Sequence, residues 1–130
     1  MEITVDPSAI VAVLFGEPVK DVIITYTRRT ELIAPPSLGW EVGNALSAAV
    51  RRKRITAAQA SQAFRHFGDI PVRIADIDVV EAVQLSFDRG IFAYDAYIIQ
   101  CALRYRTPLL TLDRRQAEVA SNVGVALLEV

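Results

Sequence analysis

Apolar positions along the chain fall into short strand-length runs separated by stretches with helical spacing. Ile3-Thr4-Val5 is a β-favouring run that stops at Asp6-Pro7, a strand end followed by a helix-start signal. Residues 7 to 15 open with Pro at a first helical position and end at Gly16, and a second helix is expected over about 18 to 29. Glu31 to Ala34 reads as a strand halted by Pro35-Pro36. Helical patterns follow over Ser37–Arg52 and Thr56–Phe67, the latter with Thr56 as its N-cap. Val72–Ile74 is a third strand. Asp78 and Glu81 have capping-box spacing and start a helix to about Phe87, closed by Asp88-Arg89-Gly90. The pattern then predicts a helix over Tyr94–Tyr105, a strand over Pro108–Thr111, a helix over Arg114–Ser121 and a last strand over Val123–Leu128.

Short apolar strands alternating with helices predict an α/β fold, a central parallel sheet flanked by helices. In such sheets the working site lies beyond the carboxyl ends of the strands, near a switch in strand order. No Pro/Gly/Ser linker, repeat or low-complexity segment interrupts the 130 residues, a length typical of one domain, so residues 1–130 read as a single unit.

Four acids break the pattern. Asp6 directly follows the first strand, and Asp113 directly follows the run Leu109-Leu110-Thr111-Leu112; both fall at strand C-termini, and both suit the N-cap of the next helix. Asp95 shares the i, i+3, i+4, i+7 stripe of its helix with Ile98, Ile99 and Ala102, which puts a carboxylate on the core-facing side. Glu41 borders a similar stripe formed by Leu38, Val42, Ala45 and Ala49. A buried carboxylate must be neutral, paired or bound to a cation. Like charges gathered in one cleft require a positive partner, and oxygen-only ligands select a hard cation, Mg²⁺ or Mn²⁺, over zinc. Ser8 and Thr111 flank the strand-end acids and are placed to orient them or a water.

Composition narrows the chemistry. With 52% hydrophobic and 22% charged residues the chain is not disordered. One cysteine, Cys101, and one histidine, His66, exclude a disulfide framework and a Cys/His zinc site. Cys101 sits in an apolar helical pattern as a buried, inert thiol, and His66 near a helix end reads as a surface or capping residue. The N-terminus lacks a basic, apolar leader, and no run approaches the ~20 apolar residues of a membrane span, so a cytoplasmic protein is expected. A net charge of -1 argues against a domain that coats nucleic acid, although the basic residues are 12 Arg to 2 Lys, and Arg is the better phosphate ligand.

The order and spacing of these motifs resemble the PIN-domain nucleases, and within them the VapC toxins of toxin–antitoxin pairs. The resemblance runs over nearly the whole chain: Asp6-Pro7-Ser8-Ala9, Gly16-Glu17-Pro18, Glu41-Val42-Gly43-Asn44-Ala45-Leu46, Tyr94-Asp95-Ala96 and Thr111-Leu112-Asp113-Arg114-Arg115. The family's acidic site maps onto Asp6, Glu41, Asp95 and Asp113, and Asn44 matches a supporting polar position. Pro7 departs from the family pattern and removes a backbone donor beside Asp6. The resemblance implies a Mg²⁺- or Mn²⁺-dependent endoribonuclease whose metal-activated water attacks a phosphodiester, leaving 5′-phosphate and 3′-hydroxyl ends. Asp6, Asp95 and Asp113 are then metal ligands, with Glu41 a ligand or the residue that positions the water. It also implies a homodimer inhibited by a cognate, VapB-like antitoxin.

Other residues admit two readings. Arg51-Arg52-Lys53-Arg54 is either a solvated helix C-terminus or a phosphate clamp for RNA, and Arg114 and Arg115 either lie on a surface helix or help hold the scissile strand. Trp40 is expected to pack or to sit in a dimer contact rather than to stack a base. Asp76 and Asp78 suit capping. Three alternatives use the same residues: an RNA-processing PIN nuclease that is not a toxin, a phosphatase of another α/β family, and a Mg²⁺-binding receiver-like signalling domain. The last expects adjacent acids after the first strand and a Lys after the last, whereas Lys20 and Lys53 lie elsewhere.

Overall fold

The structure, a computed structural model, describes residues 1–130. Its elements are β1 (Glu2–Val5), α1 (Pro7–Leu14), α2 (Lys20–Thr27), β2 (Glu31–Ala34), α3 (Leu38–Arg51), α4 (Ala57–Phe67), β3 (Val72–Ile74), α5 (Val79–Arg89), α6 (Ala93–Tyr105), β4 (Leu109–Leu110) and α7 (Arg114–Asn122). The four strands form one parallel sheet in the order β3-β2-β1-β4, with Ile3 opposite Leu32, Thr4 opposite Leu109 and Ile33 opposite Arg73.

Alternation along the strands sends side chains to two apolar layers. Ile3, Val5, Leu32, Ala34 and Leu110 join Ile10 of α1, Leu38, Val42 and Leu46 of α3 and Ala63 of α4 in one core. Leu109 packs on the other side against Ile98, Ile99 and Ala102 of α6 and Val119 and Ala120 of α7. Helices therefore cover both faces, as a parallel sheet requires. No helix is long and apolar enough to cross a membrane.

Local chemistry sets the helix boundaries. Asp6 has extended backbone and accepts the Ser8 amide at 2.9 Å, while Pro7 occupies the first position of α1, where an N–H has no intrahelical partner. The donor that Pro7 removes is thus replaced one residue later. Thr56 and Gln59 form a complete capping box on α4. Gly90, at φ 65°, closes α5 in the left-handed conformation that glycine adopts without strain.

The expected last strand does not form. Residues from Val123 first complete the turn after α7, where Gly124 has φ 93°, and only Leu127 makes a parallel bridge, to Leu109. Val125 is nevertheless buried, and Val123 and Leu127 pack against the second core. The period-2 pattern was a packing signal, and β4, only two residues long, offers too short an edge to propagate a ladder. The Asp78–Glu81 box is also half made. Asp78 accepts the Glu81 amide at 3.0 Å, but the Glu81 carboxylate accepts from Gln100 at 3.4 Å.

Candidate active site

Strand order turns at β1. Its neighbour β2 lies on one side, whereas the chain crosses from β3 to place β4 on the other. The crevice beyond the carboxyl ends of β1 and β4 is therefore the switch point of the sheet. Asp6 leaves β1 there, and Thr111 to Asp113 leave β4. Ala34 ends β2 and leads through Pro35-Pro36 into α3, whose first turns carry Glu41; α6 brings Asp95 in its first turn.

The four acids share one electrostatic environment. Asp6 is only 6% exposed, and burial pushes its carboxyl above the ordinary value, opposed by hydrogen bonds from Ser8 and Gln116 and reinforced by Asp113. Glu41 is pushed up to about 7, chiefly by burial, against the Ser37 hydroxyl that donates to its Oε2 at 3.0 Å; Asp6 and Asp95 add to the rise. Asp95 is pushed up to about 6 by burial, then by Asp113 and Asp6. Its carboxylate makes no hydrogen bond, and Phe92, not Asp95, occupies the N-cap of α6. Asp113 is exposed and caps α7, accepting the Gln116 amide at 3.1 Å. Both strand-end acids thus serve as helix caps and still face the shared crevice.

A hydrogen-bonded scaffold ties these ends together. Ser8 Oγ accepts the Leu112 amide at 2.9 Å and lies 3.3 Å from Thr111 Oγ1. Thr111 Oγ1 accepts the Asp113 amide at 3.1 Å and donates to Gln116 Oε1 at 2.7 Å. Gln116 Nε2 in turn donates to the Asp95 carbonyl at 3.3 Å. Ser8 and Thr111 stand where the sequence placed them, but Gln116 was not singled out. Its place three residues after Asp113 has capping-box spacing, yet its side chain is fully buried and links α7 to α6. Gln116→Ala leaves these groups without partners, and a loss of roughly 1–3 kcal/mol is expected in denaturant unfolding.

The donor set fits a hard divalent cation. The residues at the crevice offer carboxylate and hydroxyl oxygens, and no Lys or Arg is among the groups that shift Asp6, Glu41 or Asp95. The chain's ion pairs are those of Arg73 with Glu2 and Glu31, on the sheet away from these acids. As the side chains stand, no three of the Asp, Glu, His or Cys groups are gathered closely enough to hold an ion. Asp6, Glu41 and Asp113 each direct one oxygen to a local donor, and mutual repulsion opposes closer approach without a counter-charge.

Around the crevice, Pro7, Trp40, Glu41, Asn44, Ala45 and Tyr94 line a cavity of about 530 Å³. Asn44 is thus beside Glu41, as expected from its spacing. Trp40 is 70% exposed, which overturns its expected packing role: Leu38, Val42, Leu46 and Ala49 form the buried face of α3, and Trp40 lies off it. Arg114 and Arg115 follow Asp113 at the exposed start of α7. Arg51 and Arg52 lie at the far end of α3, outside the acidic crevice, in an adjoining groove shared with Asn44. Cys101 is buried on α6, burial raises its thiol, and His66 is exposed on α4, so the two form no nucleophile pair.

The sheet order is not the 2-1-3-4-5 of receiver domains. No match is found among curated proteins. Among solved structures, the fold is similar to that of PAE2754 from Pyrobaculum aerophilum, with a TM-score of 0.73 and 24% identity over 98% of this chain and 83% of that one. It is also similar to VapBC2 from Rickettsia felis bound to a DNA fragment from their promoter, with a TM-score of 0.68 and 12% identity over 98% of both chains. The sequence model of the PIN domain matches residues 3–122, from the first strand to the end of α7. That span takes in all four crevice acids, and on it this chain belongs to the PIN domain family.

Proposed function

We propose that this protein is a divalent-cation-dependent endoribonuclease acting as the toxin of a type II toxin–antitoxin pair. The observation that carries the reading is the convergence of Asp6, Glu41, Asp95 and Asp113 on one switch-point crevice, with no Lys or Arg among the groups that shift Asp6, Glu41 and Asp95. PIN domains are generally nucleases that use divalent metals. In this reading Asp6, Asp95 and Asp113 hold Mg²⁺ or Mn²⁺, and Glu41 is a further ligand or positions the attacking water. A cation bound there supplies positive charge to a phosphate and acidity to a water.

The chain's own groups divide the remaining work. Ser37 donates to Glu41 Oε2, which leaves Oε1 free to bind the cation or to position the attacking water. Ser8, Thr111 and Gln116 hold the strand ends in register. Arg114 and Arg115 stand in the first turn of α7, where the helix dipole disfavours cations, so an RNA phosphate beside Asp113 gives them a partner that the fold does not.

The likeness to the VapBC2 structure supports an antitoxin as partner, and the family resemblance supports a homodimer. Sequencing RNA ends after brief expression of wild type and Asp6→Asn tests the activity. New 5′-phosphate ends only with wild type are expected; identical end profiles contradict the proposal. A small upstream reading frame whose product suppresses the activity separates a toxin from an RNA-processing nuclease.

A further inference from the structure

We propose that Trp40 and Tyr94 form an aromatic platform that stacks an unpaired base of single-stranded RNA beside the acidic crevice, with Asn44, Arg51 and Arg52 carrying the strand along α3. The inference rests on the RNA-cleaving reading and adds to it which of the chain's own residues hold the strand and the path it takes.

Trp40 is 70% exposed and Tyr94 is 51% exposed, and both line the cavity that contains Glu41. Neither ring is accounted for by the core, since the buried faces of α3 and α6 are complete without them. They come from two separate helices. Tyr94 is braced edge-on by Tyr97, with ring centroids 5.7 Å apart and planes at 87°, which limits the rotamer freedom that stacking has to freeze. Pro7 and Ala45, the cavity's other apolar residues, present no competing charge.

A basic groove adjoins the cavity. Asn44 lines both it and the next depression, which is shared with Ser47, Ala48, Arg51 and Arg52. From Trp40 to Arg51 the helix advances about 16 Å, at ~1.5 Å per residue, enough for more than one nucleotide. Glu41 is the only acid on α3, and Arg51 and Arg52 make no ion pair. A stacking surface followed by unpaired arginines is the arrangement that binds a single strand without reading its sequence. A duplex hides its base faces within its own stack, so the aromatic pair selects unpaired RNA.

Trp40 is the only tryptophan in the chain, so indole fluorescence reports on this position alone. Asp6→Asn protein, in which cleavage is expected to be blocked, is titrated in Mg²⁺ with a short single-stranded RNA and with a duplex of the same sequence. Saturable quenching by the single strand, with little by the duplex, is expected. By anisotropy of labelled RNA, Trp40→Ala in that background weakens binding roughly 5- to 100-fold and Trp40→Phe restores most of it. Wild-type cleavage of the same RNA is followed in parallel. If wild type cuts but the fluorescence is indifferent to RNA and Trp40→Ala binds as before, the platform is refuted while the nuclease stands. If wild type neither cuts nor binds RNA, both fall. If Trp40→Ala keeps its RNA affinity but dissociates a dimer in sedimentation, the ring belongs to a protein interface and the proposal is overturned.

Discussion

Asp6→Asn and Asp95→Asn are each expected to lower divalent-dependent RNA cleavage by at least about 100-fold without unfolding the protein. At Asp6 the amide oxygen of Asn still accepts the Ser8 amide, so the cap of α1 survives while the charge is lost. Asp95 has no side-chain hydrogen bond to lose, and Asn is nearly its size. Both changes remove one unit of negative charge from the crevice, which weakens any bound cation and misplaces what it holds. Gel cleavage assays with purified protein in Mg²⁺, Mn²⁺ and EDTA, alongside circular dichroism, separate lost chemistry from lost structure. Cleavage that persists unchanged in EDTA, or in both variants, contradicts a cation-dependent acidic centre.

The second large effect is on stability, and its sign is opposite to that of an ordinary mutation. Glu41 is raised from 4.5 to about 7 and Asp95 from 3.8 to about 6, chiefly by burial. A carboxyl raised on folding binds its proton more tightly in the folded state. In the metal-free protein the contribution of these two groups is therefore fully present below their unfolded values and is lost as pH rises from about 4 towards 7. Both groups are partly exposed, so solvent screening reduces the penalty to about 1–2 kcal/mol each at pH 8. Glu41→Gln keeps an acceptor for Ser37 and removes the charge. In chelator at pH 8 its Tm should exceed that of wild type by about 3–8 °C, and the two should coincide near pH 4. Added Mn²⁺ should raise wild type more than the variant, because only a folded site binds it. Scanning calorimetry at both pH values decides the matter, and a variant that melts at or below wild type at pH 8 removes the argument from buried charge.

The parts of this site visible in the sequence are those tied to a local pattern. Asp6 and Asp113 end apolar runs, and Asp95 stands on a stripe with Ile98, Ile99 and Ala102, all three buried. The stripe could be read because α6 begins within a residue of its expected start. What escaped depended on which neighbour covers which face. Trp40 adjoins Glu41 in sequence, yet one residue is about 100° of helical turn, and the packing of α1 and α4 on α3 leaves the indole in solvent. Gln116 carries the spacing of a local cap, and only the approach of α6 turns its side chain inward. At the C-terminus, alternating Val123, Val125 and Leu127 predicted a strand, but the length of a partner strand is not encoded in the alternation. Net charge was the most misleading signal, because -1 averages a crevice of uncompensated acids with exposed arginines elsewhere.

Calorimetric titration of metal-free protein with Mn²⁺ at pH 6.5, in two buffers of different ionisation enthalpy, tests the central claim most directly. The four acids acting as one site predict saturable binding that releases protons, because Glu41 and Asp95 are partly protonated at that pH and must ionise to bind. Asp6→Asn should bind at least about tenfold more weakly. Absence of saturable binding in wild type, or the same affinity in Asp6→Asn, would contradict the account.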